Sequence, residues 1–146
     1  MADITITATQ VRPQSALFIA EPAVAGEALT VGNLVQINGS GVAVKADADT
    51  AAGQQGTLGL VISGASGRRT TDGSIASGEA ISVLLFGLVF VGASAALDET
   101  KTLYASGTAG AITDAAPTLH RVVGTVWSTT TILFNPAPAA AASVVI

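Results

Sequence analysis

The stretch AISVLLFGLVFVGASAAL, residues 80–97, decides the fold. Its eighteen uncharged residues reach the length of a membrane-spanning helix. However, its Val, Leu and Phe residues are concentrated at its centre, Gly87 and Gly92 interrupt it, and it ends in small residues, which is typical of buried strands. Because both alternating sets of side chains are apolar, we predict two strands at the centre of the fold, 80–86 and 88–91, with Gly87 as a bulge or corner.

The rest of the chain alternates short β-prone runs with Gly, Asn, Asp, Ser or Pro, a punctuation that indicates a compact antiparallel β-sandwich or barrel. The best helix candidate, ADADTAAGQQG from Ala46, has room for only about one turn before Gly53, so we interpret it as a loop. The fold class predicted is therefore all-β. The further strands predicted are 4–9, 16–20, 34–37, 42–45, 58–62, 102–104, 121–127 and 131–134.

Two stretches echo each other, GEALTVGNLVQING at 26–39 and SAALDETKTLYASG at 94–107. The echo predicts two loosely similar hairpin units that pack face to face around one core. The alternative is that any β chain rich in Gly and Ala shows such echoes. The offset is 68 or 69 residues at the first three matched pairs and 65 at the last two. These pairs are Leu29 and Leu97, Leu34 and Leu103, Gly41 and Gly110, Gly59 and Gly124, and Val61 and Val126.

The two units differ after their third strand. The first carries the polar excursion GASGRRTTDGSIASGE, residues 64–79, whereas the second passes directly from RVVGTVWS to TTTILFNP. An excursion on one copy of a scaffold is a usual place for specific contacts. We therefore predict that Arg68 and Arg69, two adjacent cations in an acidic chain, bind a partner's carboxylates; the alternative is a solvated loop tip.

Composition excludes several classes of function. The formal net charge is −4, and the six cations are too dispersed to form a basic stripe, so nucleic acid is not an expected ligand. Only 11% of residues are charged and much of the apolar fraction is alanine, so we expect a surface of small residues that suits burial against a partner. Cysteine is absent, which excludes disulfides and thiolate chemistry. The start MADITITATQ lacks the pattern of a signal peptide, and no membrane association is expected.

No motif in the sequence predicts catalysis. His120 is the only histidine, no serine lies in a Gly-x-Ser-x-Gly elbow, and the loop around Asp47 and Asp49 lacks the ligand spacing of a calcium site. Asp98 and Glu99 are neighbours that would point apart on a strand, which makes them a poor acid and base pair. We therefore expect no enzyme activity, catalytic residue, metal or cofactor. The aromatic residues, mostly within apolar strands, are expected in the core.

The chain divides into one domain, residues 1–135, and a tail, 136–146. The tail PAPAAAASVVI has no charge and ends in three β-branched residues, Val144, Val145 and Ile146. Together with the N-terminal segment it is predicted to be an extended arm, and its β-branched residues are predicted to add to a sheet edge or groove of a neighbouring subunit.

Six segments in order carry a family resemblance: ADITITATQV, AGEALTVGNLVQI, GLVISG, GEAISVLLFGLVFVGA, an LYAS…GAI run, and VVGTVWSTTTILFNP. This arrangement, over most of residues 2–135, resembles the decoration or cement proteins of tailed-phage heads. The resemblance implies a β-tulip-like, commonly trimeric module on the outside of the virion capsid, assembled in the host cytoplasm, that bridges subunits of the major capsid protein. It carries over no catalytic residue. The alternative function is a carbohydrate- or receptor-binding module of a phage fibre or adhesin, which would expose aromatic residues beside polar side chains in one loop cluster.

Overall fold

The computed structural model describes residues 3–49, 56–64 and 73–136. Within these ranges the regular structure is β-strand apart from one 3-10 turn, Ala8–Gln10, which confirms the all-β fold class. The strands are β1 Arg12–Ala25, β2 Leu29–Thr30, β3 Leu34–Ile37, β4 Val42–Lys45, β5 Thr57–Ser63, β6 Ser74–Ile75, β7 Ala80–Phe90, β8 Thr102–Ala105, β9 Ile112–Thr113, β10 Val122–Val126 and β11 Thr131–Phe134.

Nine strands form one sheet in the order β1-β4-β3-β5-β7-β11-β10-β8-β9, and β2 pairs with β6 in a separate small sheet. The order contains the same arrangement twice. Strand β3 lies between β4 and β5, and β8 lies between β9 and β10. In each half a further antiparallel strand follows, β7 after β5 and β11 after β10, and the halves join where β7 pairs with β11. Two units of the predicted kind are therefore present around a shared core, but they join edge to edge through β7 and β11, whereas the sequence predicted face-to-face packing.

The matched positions play matched roles in the two units. Leu34 at the start of β3 and Leu103 in β8 are both fully buried. Gly41 and Gly110, in the turns that follow, both have positive φ, +76° and +81°. Only glycine adopts this backbone conformation without strain, so the echo in the sequence preserves the turn as well as the apolar face.

Gly59 in β5 and Gly124 in β10 are a second matched pair, required by close approach of a neighbouring strand. A Cβ atom on Gly59 would overlap the Val83 side chain, and one on Gly124 would overlap the backbone carbonyl of Leu133. Each unit therefore needs a glycine at the centre of its third strand to let the fourth strand pair closely.

Strand β1 closes the first unit on itself. Its length pairs with β7, from Arg12 opposite Phe90 to Val24 opposite Ala80, while Val24 and Ala25 also pair in parallel with β4. The pairings therefore run from β1 through β4, β3, β5 and β7 back to β1. The parallel pair makes the sheet mixed rather than wholly antiparallel, and the arrangement is consistent with the sandwich or barrel-like fold predicted from the sequence.

The N-terminal segment packs against its own domain, at β9 of the second unit and at Val91 directly after β7. Asp3 forms an antiparallel β-bridge with Thr113 of β9. The amide of Ile4 donates to the carbonyl of Ile112, and the amide of Thr7 donates to the carbonyl of Val91; each of these two hydrogen bonds is 2.8 Å long. The prediction of a strand at 4–9 is wrong, because this segment makes isolated backbone contacts and then the 3-10 turn rather than a ladder. From Asp3 onward the segment covers the edge of β9 instead of projecting as an arm.

Strand β7 is the centre of the molecule, as its sequence predicts. It pairs with β1 along one edge, and with β5 and then β11 along the other. Adjacent residues Val83 and Leu84 are both fully buried, so both faces of its first half are covered. The prediction of two separate strands is wrong, because Gly87 continues the strand at φ +140°. No helix in the described ranges is long and apolar enough to cross a membrane.

Other predicted strands agree with the structure to different degrees. Strands 34–37, 42–45 and 131–134 are confirmed at both ends, and 58–62, 102–104 and 121–127 differ from β5, β8 and β10 by one residue at one or both ends. Strand 16–20 is part of the much longer β1. The two-residue strands β2, β6 and β9 were not predicted, because so short a run carries no periodicity.

A buried arginine connects the two units. Arg121 is only 4% exposed, and its Nη1 donates a hydrogen bond of 2.5 Å to the carbonyl of Gly56, just before β5. Burial lowers the pKa of Arg121 from its ordinary value. Because the ordinary pKa of arginine lies far above neutral pH, the guanidinium stays protonated. This contact makes Arg121 a structural cation rather than part of the surface charge.

Candidate functional site

The outer face of the second half of β7 carries large apolar side chains. Phe86 and Leu88 are two residues apart and therefore point to the same side of the strand. Ile19 of β1 lies opposite Phe86, and Leu133 of β11 lies opposite Leu88. Ile19 is 55% exposed, so this face of the sheet continues across three strands without a covering layer in the described structure.

An irregularity in β1 raises one more apolar side chain from this face. Pro13 pairs with Val89 and Phe18 pairs with Gly87, so residues 14–17 stand opposite Leu88 alone. Such surplus residues bulge out of a ladder because the opposite strand offers no partners for them. Leu17 at the end of the bulge is 78% exposed.

Gly87 allows this approach of β1. A Cβ atom at Gly87 would lie 2.6 Å from Cβ of Phe18, closer than two carbon atoms can pack. Gly87 also has φ +140°, which other residues rarely adopt. The bulge and the glycine are therefore two parts of one local arrangement.

Trp127 borders the face on its other side. It follows β10 directly and is 61% exposed. Its amide donates to the carbonyl of Thr131 at 2.9 Å, which fixes the turn that joins β10 to β11. Since Thr125 is exposed and Val126 is buried, alternation along β10 places Trp127 on the outer side.

Together these residues line a shallow cavity of about 190 Å³, which we call the apolar groove. No lining residue carries a charge or a polar side chain apart from the indole N–H of Trp127. A surface of this composition gains free energy when a partner covers it, at about 25 cal/mol per Å² of apolar area. The groove is lined by Leu17, Phe86, Gly87, Leu88, Trp127 and Leu133.

The cation Arg12 lies on β1 at the Phe90 end of this face. Cζ of Arg12 lies 4.2 Å from the centre of the Phe90 ring, two residues along β7 from Leu88. The guanidinium therefore stacks on an aromatic face, and its charge borders the apolar surface without entering it.

The sequence prediction that the aromatic residues belong to the core is wrong for Trp127 and Phe18. Phe134 is fully buried, but Trp127 and Phe18 are exposed, at 61% and 38%, while Phe86, Phe90 and Tyr104 are half-buried. The sequence contained a signal for the exposure of Trp127: the alternation in GTVW, residues 124–127, places Trp127 on the same side of the strand as the polar Thr125. The bulge that exposes Leu17 had no such signal, because it depends on the pairing with β7.

His120 makes local contacts typical of a structural residue. Its ring packs edge to face on Tyr104 at 5.4 Å between centroids. Its Nδ1 lies 3.2 Å from the carbonyl oxygen of Pro117, which can only accept a hydrogen bond. In this contact Nδ1–H is therefore the donor and the backbone carbonyl is the acceptor.

The carboxylates of the described residues serve mainly in turns. Asp98 accepts hydrogen bonds from the hydroxyl and the amide of Thr100, at 2.7 and 2.9 Å, and these lower its pKa. Asp47 accepts from the amide of Asp49 in the same way, at 2.9 Å. Asp98 and Glu99 lie in a turn rather than on the strand assumed from the sequence. Among the described residues no group of three acidic or histidine side chains is placed to hold a metal ion.

The partner-binding residues predicted from the sequence lie outside the described ranges. Arg68 and Arg69 fall within 65–72, and Val144, Val145 and Ile146 fall within 137–146. Their predicted roles therefore stay predictions. The structure instead identifies the apolar groove, which the sequence did not predict.

No protein-family model matches this sequence, and no curated protein matches it significantly.

Proposed function

We propose that this protein is a structural protein of a tailed-phage head, which binds the outer surface of the capsid and stabilises it by bridging major capsid protein subunits. The observation that carries the proposal is the apolar groove, which is open in the described structure and is the kind of surface that an assembling protein buries against a neighbouring subunit. The order of Gly-punctuated strands, which resembles that of head decoration proteins, supports the identity of the partner. We propose no catalytic activity and no cofactor.

The physical demands of this role fit the chain. A shell displays many identical sites, so each copy needs only modest affinity if it contacts more than one subunit, because the second contact is made at high effective concentration. A scaffold with its large side chains fully buried, such as Leu34, Leu84 and Phe134, keeps the binding surface in one shape. We further propose a homotrimer on the virion exterior, assembled in the host cytoplasm.

The first experiment mixes the purified chain with undecorated heads and sediments the heads. We expect the chain to pellet with heads in a saturable way, at a fixed ratio to the major capsid protein, and heat-treated heads to stay intact longer when decorated. The same co-sedimentation is measured with unexpanded precursor shells, and the two kinds of shell are compared. If the chain stays in the supernatant at concentrations well above those of the capsid subunits, the proposal is wrong.

The second experiment tests the predicted contribution of Arg68 and Arg69. Replacing both with alanine is expected to weaken binding to heads in low salt and to have less effect in high salt, because charge pairs are screened. The thermal midpoint should change little, since exposed charges contribute little to stability. The comparison variant is Lys101→Ala, which removes an exposed cation elsewhere. Equal binding by all variants at both salt concentrations would assign the two arginines to solvated surface.

One observation favours the alternative function, a carbohydrate-binding module. Trp127 is 61% exposed and lies beside the turn residues Ser128 and Thr129, a pairing that sugar-binding surfaces use. The rest of the groove is aliphatic or phenyl, with few groups to bind hydroxyls. Since Trp127 is the only tryptophan, its fluorescence reports directly on this site. A saturable change of emission with a soluble oligosaccharide, and none with heads, would favour the alternative.

A further inference from the structure

We infer that the apolar groove of one copy receives residues 144–146 of a second copy of this chain. The inference rests on the proposed self-association and specifies the contact that produces it. It combines the groove, which is open in the described structure, with the apolar segment that follows β11.

The chemistry of groove and segment is complementary. The groove offers Leu, Phe and Trp side chains, and Val144, Val145 and Ile146 are three apolar, β-branched residues in succession. Residues 137–146 contain no charged side chain, and the groove lining contains none. Burial of the segment therefore removes apolar surface from water on both sides and desolvates no charge.

The position of the segment points to a second copy rather than to the same chain. The groove residue Leu133 lies three residues before Pro136, where the described structure ends. Pro136 and Pro138 favour an extended backbone, and an extended chain advances about 3.1 Å per residue. Val144 would then lie about 25 Å beyond Pro136, well past the groove of its own chain.

A return to the same groove needs a reversal of the chain. Residues 137–143, APAAAAS, contain no Gly, Asn or Asp, the residues that most readily take the positive φ of a two-residue hairpin turn. Four alanines are also too few to form an independent helix that would shorten the segment. A contact in which each copy gives its segment and receives that of a neighbour is heterologous, and it closes into a ring when the rotation between copies allows.

The absence of cysteine from the chain permits a direct test by disulfide cross-linking. Leu17→Cys places a thiol in the groove at a highly exposed position, and Ile146→Cys places one in the segment. The two full-length variants are purified separately, mixed and mildly oxidised. A disulfide requires Cα atoms within about 7 Å, so it forms efficiently only if the segment occupies the groove.

We expect the mixture to yield a covalent dimer of one copy of each variant, and each variant alone to yield little. Val24→Cys, which is exposed at 43% but outside the groove, mixed with Ile146→Cys is the matched control and should cross-link several-fold less. The double variant Leu17→Cys/Ile146→Cys should form covalent oligomers rather than a closed monomer.

Three results would overturn the inference. A disulfide within one chain of the double variant would mean that the segment occupies its own groove. Dimers of Leu17→Cys alone would mean that grooves pack on each other. No cross-link above the Val24→Cys control would mean that the segment binds elsewhere.

Light scattering of the unmodified chain separates this inference from the proposed function. A single-copy mass in solution at all concentrations, combined with single isolated copies on a map of decorated heads, would reject the proposed trimer together with the contact. An oligomer without the expected cross-link would reject the contact alone.

Discussion

Gly124→Ala should lower the free energy of unfolding by about 3 kcal/mol, at the upper end of the usual cost of overpacking. The added Cβ would overlap the backbone carbonyl of Leu133 in the neighbouring strand, and a backbone atom cannot move aside as a side chain can. Relief would require β10 and β11 to separate where Gly124 pairs with Phe134, a fully buried residue. For a chain of this length the thermal midpoint should fall by about 10 °C.

Gly39→Ala is the matched control, since a Cβ at Gly39 meets nothing within 4 Å and its φ is not positive. Its midpoint should stay within about 2 °C of the unmodified chain, as for other surface substitutions. Gly59→Ala should behave like Gly124→Ala, although the overlapped atom belongs to the Val83 side chain, which can shift. Equal midpoints for Gly124→Ala and Gly39→Ala would contradict the close strand pairing described here.

These glycines show how much of the fold the sequence predicts. The matched positions Gly59 and Gly124, like Leu34 and Leu103, were recognisable because each unit places the same demands on its turns and strands. The strand bounds of β3, β4 and β11 were predictable from local turn residues: β3 lies between Asn33 and Asn38, Gly41 precedes β4, and Asn135 follows β11. Local chemistry therefore determined the repeated part of the fold.

The remainder depends on pairing between distant residues. The length of β1 follows from its partner β7, and a β-prone run such as 4–9 forms no ladder when it has no full-length strand beside it. The candidate site belongs to this class, because Leu17 is exposed by the unequal lengths of β1 and β7 between Pro13 and Phe18. Composition indicated a surface for burial against a partner, but it could not indicate which surface.

Replacing both Leu17 and Trp127 with serine should weaken binding to heads at least about 30-fold, which corresponds to the loss of one strong hot spot. The two side chains are the most exposed large apolar groups of the groove, at 78% and 61%. They therefore contribute little to stability but supply much of the area that a partner can cover. If the groove holds a neighbouring copy, the same change should also lower the mass of the oligomer.

Val24→Ser is the matched control, because it also removes an exposed apolar side chain from β1 but lies outside the groove. Its affinity for heads should stay within about threefold of the unmodified chain. The thermal midpoints of both variants should match that of the unmodified chain, which excludes unfolding as the cause of weaker binding.

We propose that this protein attaches to phage heads as an assembly that depends on the apolar groove. The decisive measurement is quantitative co-sedimentation with undecorated heads, for the unmodified chain, Leu17→Ser/Trp127→Ser and Val24→Ser in parallel. We expect saturable binding for the unmodified chain and Val24→Ser, and little or none for the double variant at the same concentration. Equal binding by all three would contradict the role of the groove, and binding by none of them would contradict the attachment itself.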